Sequence, residues 1–117
     1  MSLERQLKEL RLRPGVIGAA LVGRAGEVLV ADMPEKVSLE TFGVMCATIL
    51  GAGTTAASEI RAAPPSRVVL DSADARVTMF EVGRRAILIV VTPPTFDESR
   101  IAGDIRSIIE EVRRQGS

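Results

Sequence analysis

The segment Gly51-Ala-Gly-Thr-Thr55 and the single cysteine, Cys46, are the parts of this 117-residue chain that could do chemistry most directly. Glycine amides and threonine hydroxyls can cradle a phosphate group, and a cysteine thiolate can act as a nucleophile. No Lys-Ser or Lys-Thr pair follows the glycines, however, and no cationic residue adjoins Cys46 in the sequence. We therefore interpret the glycines as packing residues and Cys46 as a buried structural thiol.

An acidic pair and three arginines are the remaining candidates. Asp71 and Asp74 flank a predicted turn, where aspartate commonly accepts hydrogen bonds from backbone amides. Arg24, Arg84 and Arg85 lie at predicted hairpin tips, where an exposed arginine could enter the phosphate site of a partner protein. The chain contains no histidine, which removes the commonest general base and metal ligand. We predict no catalytic residues, no metal ligands and no cofactor.

The composition is that of a folded protein, which we expect to form one domain over residues 1–117. Basic and acidic residues both number 15, and only 3% of the residues are aromatic, which argues against a nucleic-acid partner. A single cysteine excludes an internal disulfide. The charged segment from Glu4 to Lys8 is unlike a signal peptide, so we expect a cytoplasmic protein.

Hydrophobic periodicity predicts three helices and five strands. In chain order these are a helix with Leu3, Leu7 and Leu10 on one side, a hairpin of Val16–Val22 and Glu27–Ala31, a long helix from Ser38 to Ala63, strands at Arg67–Asp71, Arg76–Val82 and Ala86–Thr92, and a closing helix capped by Thr95 and Glu98. The run from Ala86 to Val91 is entirely apolar, so this strand should lie mid-sheet with both faces covered. The predicted fold class is α+β, a five-stranded antiparallel sheet between helices in the order α-β-β-α-β-β-β-α.

The long middle helix lacks a charged face. No residue from Thr41 to Ser58 is charged, whereas a helix that covers a sheet on one side normally presents charges to water on the other. A helical projection turns the larger apolar residues toward the sheet, namely Phe42, Cys46, Ile49, Leu50, Ala57 and Ile60. The opposite side, called the outer strip below, holds small or weakly polar residues: Val44, Ala47, Thr48, Gly51, Thr55 and Ser58.

Three environments could cover the outer strip. A membrane is one, but the stretch contains threonines, a serine and three glycines, so we predict no membrane span. A helix of the same chain is the second, although both other helices are needed on the opposite face of the sheet. We favour the third, a homodimer, in which Gly51 and Gly53 permit close approach of a partner helix.

The strand that follows the middle helix offers a second contact between copies. If Arg67–Asp71 lies at a sheet edge, its central residues Val68, Val69 and Leu70 could pair with the same strand of another copy. The alternative is a lone edge strand that is guarded by its charged ends, Arg67 and Asp71.

Three parts of the sequence together suggest a family. They are the segment Pro14-Gly-Val-Ile-Gly-Ala-Ala-Leu-Val-Gly-Arg-Ala-Gly-Glu-Val-Leu-Val30, the long helix of small residues, and the three strands from Arg67 to Thr92 with their closing helix. In these parts, which cover essentially the whole chain, the sequence resembles the roadblock family of dynein light chain and GTPase-regulating domains.

The resemblance implies a homodimer, or a heterodimer with a roadblock-type paralogue, that is joined through the middle helix and the strand after it. It also implies a platform for a small Ras-like GTPase or a light-chain subunit of a motor, without cofactor or metal. No arginine finger can be carried over from the family, and Arg24, Arg84 and Arg85 stand as possible GTPase contacts. The alternative function is a small-molecule sensor with a pocket between sheet and helix.

Overall fold

The computed structural model describes residues 2–116 and contains, over that range, three α-helices and five β-strands. The elements are α1 (Leu3–Arg11), β1 (Gly18–Gly23), β2 (Val28–Asp32), α2 (Leu39–Glu59), β3 (Arg67–Asp71), β4 (Arg76–Val82), β5 (Ala86–Thr92) and α3 (Ala102–Arg114), with a short 3₁₀ helix at Glu98–Ile101 before α3. The predicted α+β fold class and element order are therefore confirmed.

The five strands form one antiparallel sheet in the order β2-β1-β5-β4-β3. β5 is the central strand and all of its residues are buried, as its continuous apolar run predicts. β3 is an edge strand, as is β2. Leu21 of β1 pairs with Val30 of β2, and Val22 pairs with Val28. Leu29 therefore has no counterpart in β1, and the register shifts at this point.

Helices cover both faces of the sheet, but unequally. α1 and α3 pack together on one face, in a cluster that includes Leu7, Leu10, Leu21, Leu88, Ile105 and Ile108. α2 covers the other face alone, through Cys46 and Leu50, which pack with Met79, Ile87 and Ile89. Both terminal helices thus lie on the face opposite α2, so that β5 is covered on both of its faces.

The backbone of α2 comes close to the backbone of the β1–β2 turn where Gly43 in the helix meets Gly26 in the turn. A Cβ atom on Gly43 would lie 2.5 Å from the carbonyl oxygen of Gly26, and one on Gly26 would lie 2.5 Å from the Cα of Val44. Gly26 also has a φ of +93°, a conformation that residues with a Cβ atom rarely adopt. These two glycines therefore set how closely α2 lies on the sheet.

Two predicted helix ends are wrong. α2 stops at Glu59, ahead of the predicted Ala63, because Arg61 already has a left-handed φ of 60°. Ile60, which was expected to face the sheet, lies at this end and is 78% exposed. Thr95 and Glu98 do not form the predicted capping box, because the carboxylate of Asp97 accepts the hydrogen bond from the backbone amide of Ser99.

Candidate protein-interaction surface

Most of the outer strip faces away from the sheet. Its exposed members are Val44, Thr48, Gly51, Thr55 and Ser58. Ala47 differs, because it is half-buried and packs against the cluster between α2 and the sheet. Since α1 and α3 lie on the other face of the sheet, no helix within residues 2–116 covers the strip.

Two of the four threonine hydroxyls in α2 donate to the carbonyl oxygens of the helix itself. The Thr48 hydroxyl donates to the carbonyl oxygen of Val44 at 2.8 Å, and the Thr54 hydroxyl donates to that of Leu50 at 3.0 Å. A hydroxyl that already donates within the helix loses less when water is removed from it. This part of α2 can therefore be buried by a partner at a lower desolvation cost than its polar composition suggests.

The two glycines that were assigned to a partner helix have different surroundings. A Cβ atom on Gly51 would have no other atom within 4 Å, so this position is open on its own chain. A Cβ atom on Gly53 would lie 3.3 Å from the Cγ2 of Val68 in β3. Gly53 therefore meets its own sheet, and the prediction that it receives a partner helix is wrong.

The sequence-based prediction omits one large residue on the exposed face of α2, Met45. Its side chain is 50% exposed and it precedes Thr48 by three positions, so both lie on one helical face. Methionine fills irregular gaps well, because its side chain is flexible and polarizable. The missed signal was the i, i+3 spacing, which places Met45 with the outer strip.

The predicted contact residues of β3 do not share one face of the sheet. Val68 and Leu70 lie on the side of α2, where Val68 is half-buried beneath the helix and Leu70 is exposed. Val69, between them, points to the opposite face and is also exposed. Of the three residues, only Leu70 is both exposed and on the α2 side of the sheet, whereas Val69 is exposed on the other side.

The three candidate arginines lie at one end of the sheet. Gly23 pairs with Ala86, so the turn that carries Arg24 is adjacent to the turn that carries Arg84 and Arg85. Arg24 forms an ion pair with Glu81 and lines a shallow groove with Ala47, Leu50, Gly51, Thr54 and Ile87. Arg84 and Arg85 are exposed and have no ion-pair partner among residues 2–116. Of the three candidate arginines, Arg84 and Arg85 are therefore the ones that remain available to a partner.

Cys46 is buried between α2 and the sheet, as predicted, and desolvation raises the pKa of its thiol to about 11.

We expect iodoacetamide to alkylate the folded protein at pH 8 about 100-fold more slowly than the protein in denaturant, where the pKa is near 8.5. Because the thiol ionises at a higher pH in the folded protein, its titration leaves the free energy of unfolding unchanged below about pH 8.5 and lowers it as the pH rises toward 11. Mass spectrometry of timed samples measures the rates, and equal rates would contradict burial of Cys46.

The cavity beneath α3 offers little space for a small molecule. The cavity beneath α3, lined by Thr78, Phe80, Val90, Thr92 and Ile105 among others, is about 10 Å³ in volume. That is about the space a single water molecule needs, so this cavity gives the small-molecule sensor hypothesis no support. Among residues 2–116, no group of three or more Asp, Glu or Cys side chains is placed to hold a metal ion.

By length and composition alone, α2 is long and apolar enough to cross a membrane, with a mean hydropathy of 1.2 and 17% of that window buried. A single such helix is weak support for a membrane span, because long apolar helices also occur in folded domains. Here Cys46 and Leu50 pack into the sheet, and Gly43 touches the β1–β2 turn. The absence of charged residues that meets the membrane criterion also makes the exposed outer strip suitable for a protein partner.

Comparison with known proteins identifies the class to which this fold and surface belong. The model of the Roadblock/LC7 domain matches residues 2–92, which include the whole sheet and α2. The chain therefore belongs to the Roadblock/LC7 domain family, and the predicted resemblance is confirmed.

Individual relatives agree with this assignment. Uncharacterized protein MJ1340 of Methanocaldococcus jannaschii is 25% identical over 95% of this chain and 96% of its own. A Roadblock/LC7 domain from Streptomyces avermitilis superposes with a TM-score of 0.87 at 16% identity, covering 98% of both chains. MglB of Myxococcus xanthus superposes with a TM-score of 0.86 at 15% identity, covering 96% of this chain and 92% of its own. Another MglB structure, described as having a tetrameric arrangement, gives a TM-score of 0.83 at 22% identity over 96% and 85% of the two chains.

Proposed function

We propose that this chain is a non-catalytic, cytoplasmic interaction module that pairs with a second copy and regulates a small Ras-like GTPase. The observation that carries the proposal is the outer strip, which has no charged residue and whose members other than Ala47 are exposed within residues 2–116. Membership of the Roadblock/LC7 family supports it, because such domains are regulatory or interaction domains.

Pairing of copies is the first part of the proposal. The dimer contact comprises the exposed residues of the outer strip, Met45 and Leu70 of β3. Small residues along the strip allow two helix backbones to approach closely, and the weak polarity of the strip lowers the cost of removing its water. The tetrameric arrangement of one MglB structure supports association of copies in a protein of this fold.

Sedimentation equilibrium of the whole chain tests the pairing directly. We expect a dimer of the 12.5 kDa chain at micromolar concentrations. A protein that remains monomeric up to millimolar concentration would overturn this part of the proposal.

Regulation of a GTPase is the second part. It rests on the family resemblance and on Arg84 and Arg85, which are exposed and have no ion-pair partner within residues 2–116. Their turn is adjacent to the turn of Arg24, which lines the groove beside α2. We expect purified Ras-like GTPases of the source organism, loaded with GDP or a non-hydrolysable GTP analogue, to include one that binds in a nucleotide-dependent way. Fluorescence anisotropy with a labelled nucleotide measures this binding. Equal binding of both forms, or binding of none of the GTPases, would contradict a regulatory role.

The arginine contact makes a separate prediction. We expect the double variant Arg84→Gln/Arg85→Gln to bind the GTPase about fivefold more weakly or worse, because two charges at the rim of the contact are lost. The matched control is Arg106→Gln/Arg113→Gln, which removes two exposed charges from α3. Equal affinities of the two double variants, measured by the same anisotropy assay, would exclude Arg84 and Arg85 from the contact.

A further inference from the structure

α2 ends in a Schellman turn whose left-handed position is occupied by an arginine. The backbone amide of Ala62 donates to the carbonyl oxygen of Ala57 at 2.8 Å, and that of Arg61 donates to Ser58 at 3.0 Å. Arg61 has a φ of 60°, and glycine is usual at this position because a Cβ atom there is unfavourable. Within residues 2–116, no other residue except glycines has a positive φ. The helix end therefore carries an arginine where the turn alone would favour glycine.

Each end of α2 presents one apolar side chain and one unpaired charge. At the C-terminal end, Ile60 is 78% exposed, and the exposed Arg61 side chain has no ion pair or hydrogen bond within residues 2–116. At the N-terminal end, Leu39 is exposed, and the exposed Glu40 carboxylate also has no ion pair or hydrogen bond in that range. The two ends therefore carry opposite charges that their own chain leaves without a partner.

The two charges lie at equal distances from the middle of α2. The charge-free run of the helix, from Thr41 to Ser58, has its midpoint between Ile49 and Leu50. At a rise of 1.5 Å per residue, Glu40 and Arg61 each lie about 15 Å from this midpoint along the axis. If two α2 helices cross there in opposite directions, Glu40 of each copy comes beside Arg61 of the other.

The spacing of the outer strip indicates that such a pair stays in contact along its length. The exposed members follow one another at intervals of four and three residues in alternation: Val44, Thr48, Gly51, Thr55 and Ser58. Helices with this 3.5-residue period pack at a shallow crossing angle of roughly 20°. Small side chains also keep the two axes close, about 8 Å apart. The ends of the helices therefore remain within reach of long side chains on the partner.

The charges also decide the direction of the two helices. In a parallel pair, Glu40 would lie beside Glu40 and Arg61 beside Arg61, so both contacts would be repulsive. In an antiparallel pair both contacts are attractive, and the helix dipoles oppose each other favourably. We propose that the Arg61 guanidinium of each copy binds the Glu40 carboxylate of its partner, and that Ile60 packs on the partner's Leu39. This contact rests on the proposed pairing through the outer strip, and it fixes the direction and register of that pairing.

Other carboxylates near α2 are less suited to receive Arg61. Glu59 lies at the same end of the helix as Arg61, so an antiparallel crossing separates it from the partner's Arg61. Glu35 precedes α2 and adjoins Lys36, whose charge offsets it. Glu40, in the first turn of the helix, is the carboxylate that the antiparallel pair brings to Arg61.

Unpaired charges elsewhere lie away from the ends of α2. A polar cleft between α1 and α3 is lined by residues that include Gln6, Glu9 and Glu110. The 3₁₀ helix and α3 carry three further exposed arginines, namely Arg100, Arg106 and Arg113. Both groups belong to the helices that cover the opposite face of the sheet. Arg84 and Arg85 adjoin the turn of Arg24, which lines a groove beside the middle of α2. The opposite end of a partner's α2 is therefore the best-placed source of a counter-charge.

Charge reversal tests the contact on the whole chain. In a homodimer, Glu40→Arg or Arg61→Glu replaces two attractive pairs by two repulsive ones, so each should weaken dimerisation about tenfold or more. The double variant Glu40→Arg/Arg61→Glu restores both pairs with their signs exchanged, and it should dimerise within about threefold of the wild type. The matched controls are Glu110→Arg and Arg113→Glu in α3, which should dimerise like the wild type. Sedimentation equilibrium measures the dissociation constants.

Mixing the two single variants gives a second readout. We expect Glu40→Arg and Arg61→Glu together to form a mixed dimer in preference to either homodimer, because both contacts then join opposite charges. Native mass spectrometry distinguishes the three dimers by their masses. In a parallel arrangement each single variant would pair with itself as strongly as the wild type does, and that result would overturn the proposal.

The apolar half of the contact is tested by Ile60→Ser. Loss of two buried isoleucine side chains should weaken dimerisation about tenfold. The control is Leu12→Ser, which removes a side chain that is 79% exposed in the loop after α1. A dimeric wild type whose dissociation constant is unchanged in Ile60→Ser and in the charge variants would refute the end contacts and leave the pairing intact. A monomeric wild type would refute both. Variants that dimerise normally but bind the GTPase less well would assign these residues to the GTPase instead of a second copy.

Discussion

Gly51→Leu is expected to turn the proposed dimer into a folded monomer. The added side chain would extend from the centre of the outer strip into space that its own chain leaves empty. In a dimer with twofold symmetry the bulk enters the contact from both copies. Overpacking costs roughly 1–3 kcal/mol per site, so two sites should weaken dimerisation by about 30-fold or more.

The fold itself should tolerate this change. Leucine has a higher helix propensity than glycine by roughly 0.5–1 kcal/mol, so the Gly51→Leu monomer should be slightly more stable than the wild-type monomer. The matched control is Gly103→Leu in α3, where a Cβ atom also has no other atom within 4 Å. Sedimentation equilibrium should show a monomer for Gly51→Leu and a dimer for Gly103→Leu, both folded by circular dichroism. A Gly51→Leu protein that dimerises as strongly as the control would place the contact elsewhere.

Gly26→Ala is expected to destabilise the fold strongly. The new methyl group would lie 2.5 Å from the Cα and 2.7 Å from the backbone nitrogen of Val44, and backbone atoms cannot move aside without displacing α2. The φ of +93° adds strain, because alanine rarely adopts it. Together these effects should lower the free energy of unfolding by about 3 kcal/mol and the Tm by about 10 °C.

Two other glycines separate the causes of that loss. Gly15 has a similar φ of +91°, but a Cβ atom there would meet the side chain of Phe96 at 2.8 Å, which can move, so Gly15→Ala should cost less. Gly103→Ala lies in α3 with open space around it and should be stabilising by roughly 0.5–1 kcal/mol. Urea unfolding of the three variants measures these differences. Equal losses for Gly26→Ala and Gly15→Ala would show that strain, rather than contact with α2, limits the turn.

The sheet could be predicted from the sequence because each strand is recognisable from its own residues and the turns beside it. β3, β4 and β5 begin and end at the predicted residues, since turn residues or prolines flank apolar runs of β-branched residues. The central position of β5 followed from its apolar run alone. Edge position and burial are thus encoded in a few consecutive residues, which is why the layers were predicted correctly.

The ends of the helices and the glycine contacts could not be predicted in the same way. Ile60 continues the apolar side of α2 in the pattern, but the left-handed backbone at Arg61 takes it out of the helix. Gly26 and Gly43 are far apart in sequence, and nothing local shows that their backbones meet. Gly53 was assigned to a partner for the same reason, because its neighbour Val68 comes from a different element.

The cleft between α1 and α3 was also outside the reach of the sequence. The sequence pattern places Gln6 and Glu9 on the solvent-facing side of an amphipathic helix, and it does the same for Glu110 in α3. Only the packing of α1 on α3 buries Gln6 and brings it together with Glu9 and Glu110. Features that depend on the packing of elements distant in sequence can therefore be recognised only in the three-dimensional structure.

The irregular pairing of β2 limits how far the sheet can grow. A strand edge extends readily when its free amides and carbonyls follow a regular ladder, and the unmatched Leu29 interrupts that ladder in β2. β3 pairs with β4 without such an interruption, so only one border of the sheet is suited to accept another strand. We therefore expect edge-to-edge joining through β3 to stop at two molecules rather than continue into open-ended stacking.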